Sequence, residues 1–441
     1  MFQRKVYQKL MIWKEKYASK QACLLEGARQ VGKTTIVEHF AKNEYKSYIK
    51  IDFANTTEEI LDIFSNTAKL DLLFLRLQTE TGIKLTEGES AIIFDQIQCN
   101  SKARNIAKDL VKDGRYHYIE IANFLSANRK SEEASEYKIK VYPMDYEEFL
   151  WAAENPNYEL LQKLYERKKE VGQQLNRKLM RDFRIYMAVG GMPQAVDAYV
   201  KGKNFTEIDA VKRTILSLYE DDFKKIDASG KITAMFHSIP AQLSKDTKRY
   251  VISSATGKRK SKKDEELLYD LADSKTVLLT YNSTDPRVSL AMTKDLKSYK
   301  MYLCDTGLFV TLMFMDRPAA ENDIYAKLLS DKLPANLGYL YENAVAQMIA
   351  SMDRELYYHT WKKKDTSHYY EIDFLLSMKD KIRALEIKSS GTGKHESILK
   401  FREKYSKNVK DTYIISQKDV GKKGNLKFLP VYFVPFLLRD F

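Results

Sequence analysis

The stretch GARQVGKTT, residues 27–35, decides how the rest of the chain is interpreted. It has the pattern of a phosphate-binding loop, in which spaced glycines are followed by lysine and a hydroxyl residue. CLLE before it is apolar enough for a short buried strand, and IVEHFAK after it has helical spacing. A strand, a loop and a helix in this order are the context that such a loop needs. The stretch therefore predicts a nucleotide-binding site.

Each residue of the loop has an expected role. Gly27 and Gly32 let the chain turn tightly, so that backbone N–H groups reach the β- and γ-phosphates. Lys33 adds a positive charge between these phosphates, and the Thr34 hydroxyl can ligate Mg²⁺. The residues predicted to bind ATP are Gly27, Ala28, Arg29, Gln30, Val31, Gly32, Lys33, Thr34 and Thr35. A Rossmann dinucleotide site is disfavoured, because this loop lacks the G-x-G-x-x-G spacing.

Three further stretches have the character of strands: SYIKIDF (47–53), SAIIFD (90–95) and RYHYIEIAN (115–123). Helical segments lie between them, so the order is βαβα, which predicts a parallel sheet with its ligand at the carboxyl ends of the strands. Asp95 follows a buried run of residues. Its carboxylate is therefore predicted to hold Mg²⁺ opposite Thr34.

Gln96 stands where many ATPases of this design have glutamate. A carboxylate that acts as general base there contributes about 10²–10⁴-fold to the rate. An amide cannot take the proton, but it can orient the attacking water. We therefore expect ATP binding with slowed hydrolysis, and a catalytic set of Lys33, Asp95, Gln96 and Asn123. For Asn123 a plain turn-forming role is the alternative, and Glu120 is either a substitute base or a paired strand residue.

The basic composition favours an anionic partner but does not by itself predict one. The chain has 73 basic and 60 acidic residues and a net charge of +13, which suits nucleic acid and equally suits a basic, solvated surface. The apolar run FLPVYFVPFLL is too short to span a bilayer, and charges interrupt the apolar stretches at the N-terminus. Three scattered cysteines suggest a reducing compartment. We expect a cytoplasmic protein with no membrane association.

Five motifs together resemble a bacterial and archaeal family of AAA-type ATPases that carry a C-terminal domain of unknown function. They are GARQVGKTT, IIFDQIQ, YPMDYEEFLWA (142–152), VGGMPQAV (189–196) and YLCDTGLF (302–309). Relatives usually have glutamate in place of Gln96, and a Gly-Ser pair near Ala122–Asn123. The resemblance therefore implies ATP binding more firmly than ATP hydrolysis.

The resemblance also implies the domain order. The fold class predicted is α/β, with a P-loop NTPase parallel sheet and a helical lid, then a winged-helix-like unit and a small α/β nuclease-like domain. The expected bounds are 1–150 for the ATPase core, 151–234 for the lid, 235–335 for the winged-helix-like unit and 336–441 for the nuclease-like domain.

YPMDYEEFLWAAENPN is predicted to begin as a strand and continue as a helix, and residues 156–230 to be helical. TVLLTYN (276–282) and KMYLCD (300–305) are predicted strands of the winged-helix-like unit. The GGMP segment is a candidate hinge.

A second set of charged residues follows residue 336. Glu342 lies near the start of the predicted helix YLYENAVAQMIA, Asp373 lies in the predicted strand EIDFLLSM, and Glu386 and Lys388 lie on one face of the next. This order resembles the core of restriction-endonuclease-like enzymes. The resemblance implies that the three acids hold a second metal ion and that Lys388 stabilises the attacking water or the phosphate. Strand charges that simply face solvent are the alternative.

We therefore expect an ATP-binding AAA-type ATPase, its hydrolysis slowed by Gln96, that couples nucleotide state to a basic, nuclease-like C-terminal half engaging nucleic acid. ATP and Mg²⁺ are the expected cofactors. Nucleic acid is one expected partner, and further copies of the chain are another, because AAA-type proteins commonly act as rings. The alternative is a nucleotide-gated protein-interaction module with a degenerate, non-cleaving nuclease fold. The basic segment TGKRKSKKDEE (256–266) is either a nucleic-acid contact or a solvated loop.

Overall fold

The computed structural model describes residues 1–66, 69–123, 136–245, 247–257, 261–317, 324–330, 337–364, 366–379, 381–389 and 395–440. The chain forms two compact units. The first comprises Met1–Tyr142 with Asp273–Lys275, and the second comprises Pro143–Ala272 with Thr276–Phe441. Within the described ranges, no helix is long and apolar enough to cross a bilayer.

The first unit alternates helices and strands. Its elements are α1 (Lys5–Lys16), β1 (Ala22–Glu26), α2 (Lys33–Glu44), β2 (Ser47–Asp52), α3 (Glu58–Asn66), α4 (Leu70–Thr81), β3 (Ser90–Asp95), α5 (Ser101–Asp113), β4 (His117–Ala122) and β5 (Glu136–Lys140). The four strands predicted from the sequence are confirmed. YPMDYEEFLWA was wrongly predicted to begin as a strand, because the last strand ends before it, at Lys140.

A five-stranded sheet with the order β2-β3-β4-β1-β5 forms the centre of the first unit. Every neighbouring pair in it is parallel, as the alternating pattern predicts. All six residues of β3 are buried, as is usual where helices cover both faces of a parallel sheet. Asp52 and Asp95 are paired in register at the carboxyl ends of β2 and β3. The sheet therefore presents two carboxylates on the edge from which the loop 27–32 emerges.

The second unit begins with a run of helices. These are α6 (Tyr146–Ala152), α7 (Tyr158–Arg167), α8 (Gln173–Val189), α9 (Pro193–Val200), α10 (Phe205–Ile226), α11 (Lys231–His237), α12 (Ile239–Leu243), α13 (Ile252–Thr256) and α14 (Lys262–Asp273). Helices α7 to α10 confirm the helical character predicted for residues 156–230. A capping box starts α6, where the Asp145 carboxylate accepts from the Glu148 backbone N–H and the Glu148 side chain accepts from the Asp145 N–H.

The rest of the second unit is built around an eight-stranded mixed sheet. Its elements are β6 (Val277–Ser283), β7 (Lys294–Leu303), α15 (Thr306–Met313), α16 (Ile324–Leu329), α17 (Tyr339–Ser351), β8 (Leu356–Lys362), β9 (Tyr369–Ser377), β10 (Ile382–Ile387), α18 (Glu396–Lys404), β11 (Val409–Ser416), β12 (Gly421–Lys423), β13 (Leu426–Pro430) and α19 (Val434–Leu437). The strand order is β12-β13-β11-β10-β9-β8-β6-β7.

Strands β6 and β7 differ from their predicted placement. They were expected in a winged-helix-like unit that ends near residue 335. Instead β6 pairs in parallel with β8, through Thr280–Asn282 opposite Leu356–Tyr358, so both strands extend the C-terminal sheet. The cause is a pairing between distant segments, which the local sequence pattern does not encode.

Two glycines bring the VGGMPQAV and YLCDTGLF motifs into backbone contact. A Cβ on Gly190 would lie 2.8 Å from Gly307 Cα, and a Cβ on Gly307 would lie 2.3 Å from the Val189 carbonyl oxygen. The buried Asp305 carboxylate accepts a hydrogen bond of 2.5 Å from the Gly191 N–H. Only residues without side chains allow this approach. The two motifs thus pack against each other inside the second unit, and a hinge at GGMP stays a prediction.

Candidate functional site

The loop between β1 and α2 has the tight geometry that its glycines predict. A Cβ on Gly27 would lie 2.2 Å from the Val141 carbonyl oxygen, so a larger residue has no room there. Gly32 has φ +90° and forms the N-cap of α2. Ala28 and Val31 are buried. The loop is therefore held close to the sheet, and the N-terminus of a twelve-residue helix begins where it ends.

Lys33 is buried within this loop. Its side chain is only 4% exposed, and its Nζ donates hydrogen bonds of 2.8 Å to the carbonyl oxygens of Gly27 and Ala28. Burial lowers the pKa of Lys33 to about 7, although the nearby Asp95 carboxylate opposes the shift. The amino group is thus surrounded by the backbone groups that line a phosphate site. An anion in the loop would restore its positive charge.

Thr34 and Asp95 meet at the other side of the loop. Thr34 Oγ1 donates a hydrogen bond of 2.8 Å to Asp95 Oδ2, which joins the start of α2 to the end of β3. Burial raises the pKa of Asp95, the Thr34 hydrogen bond opposes this, and the charge of Asp52 adds to it. A hydroxyl and a carboxylate in contact are hard oxygen ligands of the kind that Mg²⁺ prefers. These two residues fit the metal predicted for them.

Gln96 is held by a residue that sequence reasoning did not place in the site. Its Nε2 donates a hydrogen bond of 2.9 Å to Asp52 Oδ1. Gln96 has φ +53°, an uncommon left-handed conformation for a residue that is not glycine. The Asp52 carboxylate also accepts from the Ala54 N–H and from Asn55 Nδ2. The one sequence signal for Asp52 was its place at the carboxyl end of a predicted strand.

The remaining predicted residues lie around this centre. Arg29 and Gln30 are half-buried in the loop, and Thr35 is exposed on α2. Asn123 is half-buried just beyond β4, and residues 124–135 after it lie outside the described residues. Glu120 is 1% exposed and lies 3.7 Å from Arg104, so it is the paired strand residue and not a free base.

The four C-terminal residues predicted as a second site lie together with cations that the prediction omitted. Glu342 contacts Lys248 Nζ and accepts a hydrogen bond of 3.0 Å from the Tyr302 hydroxyl. Asp373 accepts from the Ile387 N–H at 2.8 Å and lies 3.6 Å from Lys300 Nζ. We call the acids Glu342, Glu371, Asp373 and Glu386 the carboxylate cluster. Its remaining ion pairs join Lys300 to Glu371 at 2.6 Å and Lys388 to Glu386 at 2.7 Å.

In the carboxylate cluster, the charges of lysines and carboxylates stabilise each other and shift each other's pKa values. Burial by itself would raise the pKa of Asp373, but Lys300 and Lys248 lower it below its ordinary value. For Lys300, burial is outweighed by Glu371 and other negative neighbours, which raise its pKa. In the described part of the chain, no group of three or more His, Cys, Asp or Glu side chains is arranged to hold a metal ion. Lysine ammonium groups pair with the carboxylates at the position where a second metal was predicted.

Sequence comparison identifies the first unit. The family model of the AAA domain matches residues 19–150. Together with the loop geometry and the parallel sheet, this match supports an AAA-type, nucleotide-binding P-loop domain over residues 19–150. Residues 180–319 and 337–433 match two further family models, each described as a domain of unknown function (DUF8612 and DUF4143). No curated protein matches the sequence.

Solved structures with some similarity include other ATPases. The Walker-type ATPase of Pyrococcus abyssi is 14% identical over 71% of this chain and 96% of its own, with a TM-score of 0.43. The Orc1 protein of Aeropyrum pernix, solved in complex with DNA, is 11% identical over 74% and 94%, with a TM-score of 0.30. A signal-transduction ATPase of Pyrococcus horikoshii is 12% identical over 80% and 49%, with a TM-score of 0.28. With TM-scores this low, the assignment depends on the family match and on the site geometry.

Proposed function

We propose that the chain is a slow AAA-type ATPase whose nucleotide state controls a C-terminal half that engages nucleic acid. The observation that carries the proposal is the contact of 2.8 Å between Thr34 and Asp95, beside a buried Lys33 that already lies within the loop. A hydroxyl, a carboxylate and an amine so close together support the binding of ATP with Mg²⁺ at this loop. Helix α2 adds its positive N-terminal end to the same position.

The residues around the loop divide the work of hydrolysis. Mg²⁺, when bound through Thr34 and Asp95, would neutralise phosphate charge. Lys33 contributes a cation to the phosphates. Because its pKa is lowered to about 7, the negative charge of bound phosphates would favour its protonated form. Gln96 can orient a water molecule but cannot remove its proton. Since the Gln96 amide is tied to Asp52, we expect slow turnover and long-lived ATP binding.

The proposal for the C-terminal half has support of a different kind. The order α17, β8, β9, β10, α18, β11 combines an antiparallel hairpin with a parallel neighbour, and its acids come together, as in a nuclease-like core. The net charge of +13 favours contact with phosphates. The chain would then bind nucleic acid in a manner that depends on ATP.

A second candidate function is favoured by the lysines of the carboxylate cluster. Lys248 and Lys300 compensate Glu342, Glu371 and Asp373 without a metal. A fold that keeps these acids as structural ion pairs does not cleave phosphodiesters. In this alternative the C-terminal half is a non-cleaving module for interaction with a protein, gated by ATP in the first unit.

Two measurements test the proposal. The first is ATP binding and phosphate release by the chain and by Lys33→Ala, with Lys42→Ala, an exposed lysine of the same helix, as matched control. We expect Lys33→Ala to lose ATP binding and Lys42→Ala to keep it. The second is the affinity for DNA and RNA with ATP and with ADP at two salt concentrations. A phosphate-binding protein loses affinity steeply as salt rises. Salt-independent binding, or none, would leave the protein-interaction alternative.

A further inference from the structure

The C-terminal sheet carries a second functional candidate on the face opposite the carboxylate cluster. Alternate residues of a strand point to opposite faces, so Arg383 and Glu386 of β10 face in opposite directions. In the register of the parallel strands, Arg383 is paired with Asp411, and Tyr413 with Lys427. These four residues belong to one surface, which the ion pairs around Glu386 do not use.

This surface is the floor of a cavity of about 620 Å³ inside the second unit. Cavities of this size hold ligands of the dimensions of a mononucleotide. The walls come from α7 and the residues after it, from β12 and β13, and from the C-terminal segment. Three aromatic rings line the cavity, those of Tyr165, Tyr413 and Phe433. The Phe428 ring lies on the other face of β13, 5.4 Å from the His395 ring. Tyr165 is half-buried, so part of its ring is accessible.

The Tyr165 ring is fixed in place before any ligand arrives. Its hydroxyl contacts the Asp440 carboxylate. Its ring stacks on Phe436, with centroids 5.8 Å apart and planes at 26°, and meets Phe433 edge-on at 5.6 Å. An aromatic ring that is held on three sides loses little freedom when a flat ligand stacks on it. The wall formed by α7 therefore offers a preorganised stacking surface.

The charges of the cavity favour an anion. Its lining has five basic side chains, Lys168, Arg383, Lys410, Lys422 and Lys427, against three acidic ones, Glu170, Asp411 and Asp440. On the floor, Asp411 is compensated by Lys427 at 2.6 Å and by Arg383 at 3.5 Å. Lys168, Lys410 and Lys422 form no ion pair with any described residue. Three cations thus remain for an incoming anion.

We infer that this cavity binds a nucleotide unit, with its base stacked on the aromatic wall and its phosphate near Lys410 and Lys422. Aromatic rings beside unpaired lysines are the combination that recognises single-stranded nucleic acid and free nucleotides alike. The inference deepens the proposed engagement of nucleic acid by naming one place where it occurs. It does not depend on the ATP site, which lies in the first unit.

The test uses the full chain and a fluorescent, short, single-stranded oligothymidylate, without Mg²⁺. Lys410→Glu combined with Lys422→Glu should weaken binding at least about tenfold and lower the salt slope by about 0.7 for each phosphate that the lysines no longer neutralise. Tyr165→Leu keeps an apolar side chain but removes the ring, so it should weaken binding and leave the salt slope unchanged. Lys362→Glu, an exposed lysine of β8 in the same sheet, is the matched control and should bind as the unaltered chain does.

Competition identifies the source of the ligand. If thymidine monophosphate displaces the strand, the cavity takes a free nucleotide, and if only the longer strand competes, it takes a strand end. Polyglutamate competing as well as the nucleotide would overturn the inference in favour of an acidic peptide. Unchanged binding by the double variant would also overturn it. Long duplex is measured in parallel. Strand binding that survives in the double variant contradicts only this cavity, whereas a failure of the unaltered chain to bind any nucleic acid, duplex included, contradicts the proposed function as well.

Discussion

The Gln96 side-chain amide donates a hydrogen bond of 2.9 Å to Asp52 Oδ1 across the carboxyl ends of β3 and β2. This contact suits an amide and not a carboxylate, because a glutamate at position 96 would place a second negative charge against Asp52. Asp95 lies in the same edge of the sheet, paired in register with Asp52. The glutamine therefore lessens a repulsion that the site would otherwise contain, at the expense of a general base.

Gln96→Glu should raise ATP turnover while ATP stays bound. A carboxylate that acts as general base contributes about 10²–10⁴-fold, so phosphate release in a single turnover should rise within that range. Gln8→Glu makes the same change of charge on the exposed side of α1 and should have no effect. Equal rates for the chain and Gln96→Glu, with tight ATP binding in both, would mean that water activation lies elsewhere.

ATP binding at pH 8 should take up nearly one proton. Lys33 has its pKa lowered to about 7, so most molecules carry it uncharged at this pH, and the phosphates of ATP favour the ammonium form. Calorimetry at pH 8 in buffers of different ionisation enthalpy measures the uptake. At pH 6 the lysine is already charged and the uptake should disappear. No difference between the two pH values would contradict the burial of this amine in solution.

Lys33 should also affect the stability of the ligand-free chain. Its folded pKa lies below the unfolded value of about 10.4, so the unfolded state binds more protons between the two. Relative to Lys33→Met, the free energy of unfolding of the unaltered chain should therefore rise with pH from about 7 to 10, by at most about 1.4 kcal/mol per pH unit. A flat difference between the two proteins over this window would exclude the shift.

The nucleotide site could be predicted from the sequence because its signals are local. The loop residues Gly27 to Thr34 are contiguous, and Asp95 ends a continuous apolar run that predicts a buried strand. Helix and strand periodicity in the first unit depends on neighbouring residues only. For that reason the parallel sheet and the contact between Thr34 and Asp95 follow from pattern alone.

The second unit shows where such reasoning fails. Lys300 pairs with Glu371, which lies 71 positions later on a strand that is three places away in the sheet. Lys248 pairs with Glu342 over a separation of 94 positions. The residues next to either lysine in the sequence do not predict these contacts, because the contacts depend on the pairing of distant strands. The acids could be predicted because their order along the chain resembles that of restriction-endonuclease-like enzymes. The lysines that neutralise them match no such order.

Gly307→Ala should destabilise the second unit. The added methyl group would lie 2.3 Å from the Val189 carbonyl oxygen and 2.6 Å from Gly190 Cα, and neither backbone atom can move freely. We expect a loss of about 2–4 kcal/mol in the free energy of unfolding. Gly421→Ala, whose φ also lies outside the left-handed region and whose added Cβ would lie 3.8 Å from the nearest atom, is the matched control for adding a methyl group without a close contact. Equal losses in both variants would show that the packing of the two motifs contributes nothing.

Lys248→Met should separate the nuclease-like hypothesis from the interaction-module hypothesis. Its removal leaves the buried Glu342 carboxylate with the Tyr302 hydroxyl but without its ammonium partner, and breaking such a pair costs about 3–5 kcal/mol. Adding Glu342→Gln removes the unpaired charge and should restore most of the stability. If the acids of the carboxylate cluster can hold a metal, Mn²⁺ should raise the Tm of Lys248→Met more than that of the double variant, which keeps the same ATP site. Equal responses to Mn²⁺, with no cleavage of DNA or RNA by either protein, would make these acids structural ion pairs and leave the interaction module as the function of the C-terminal half.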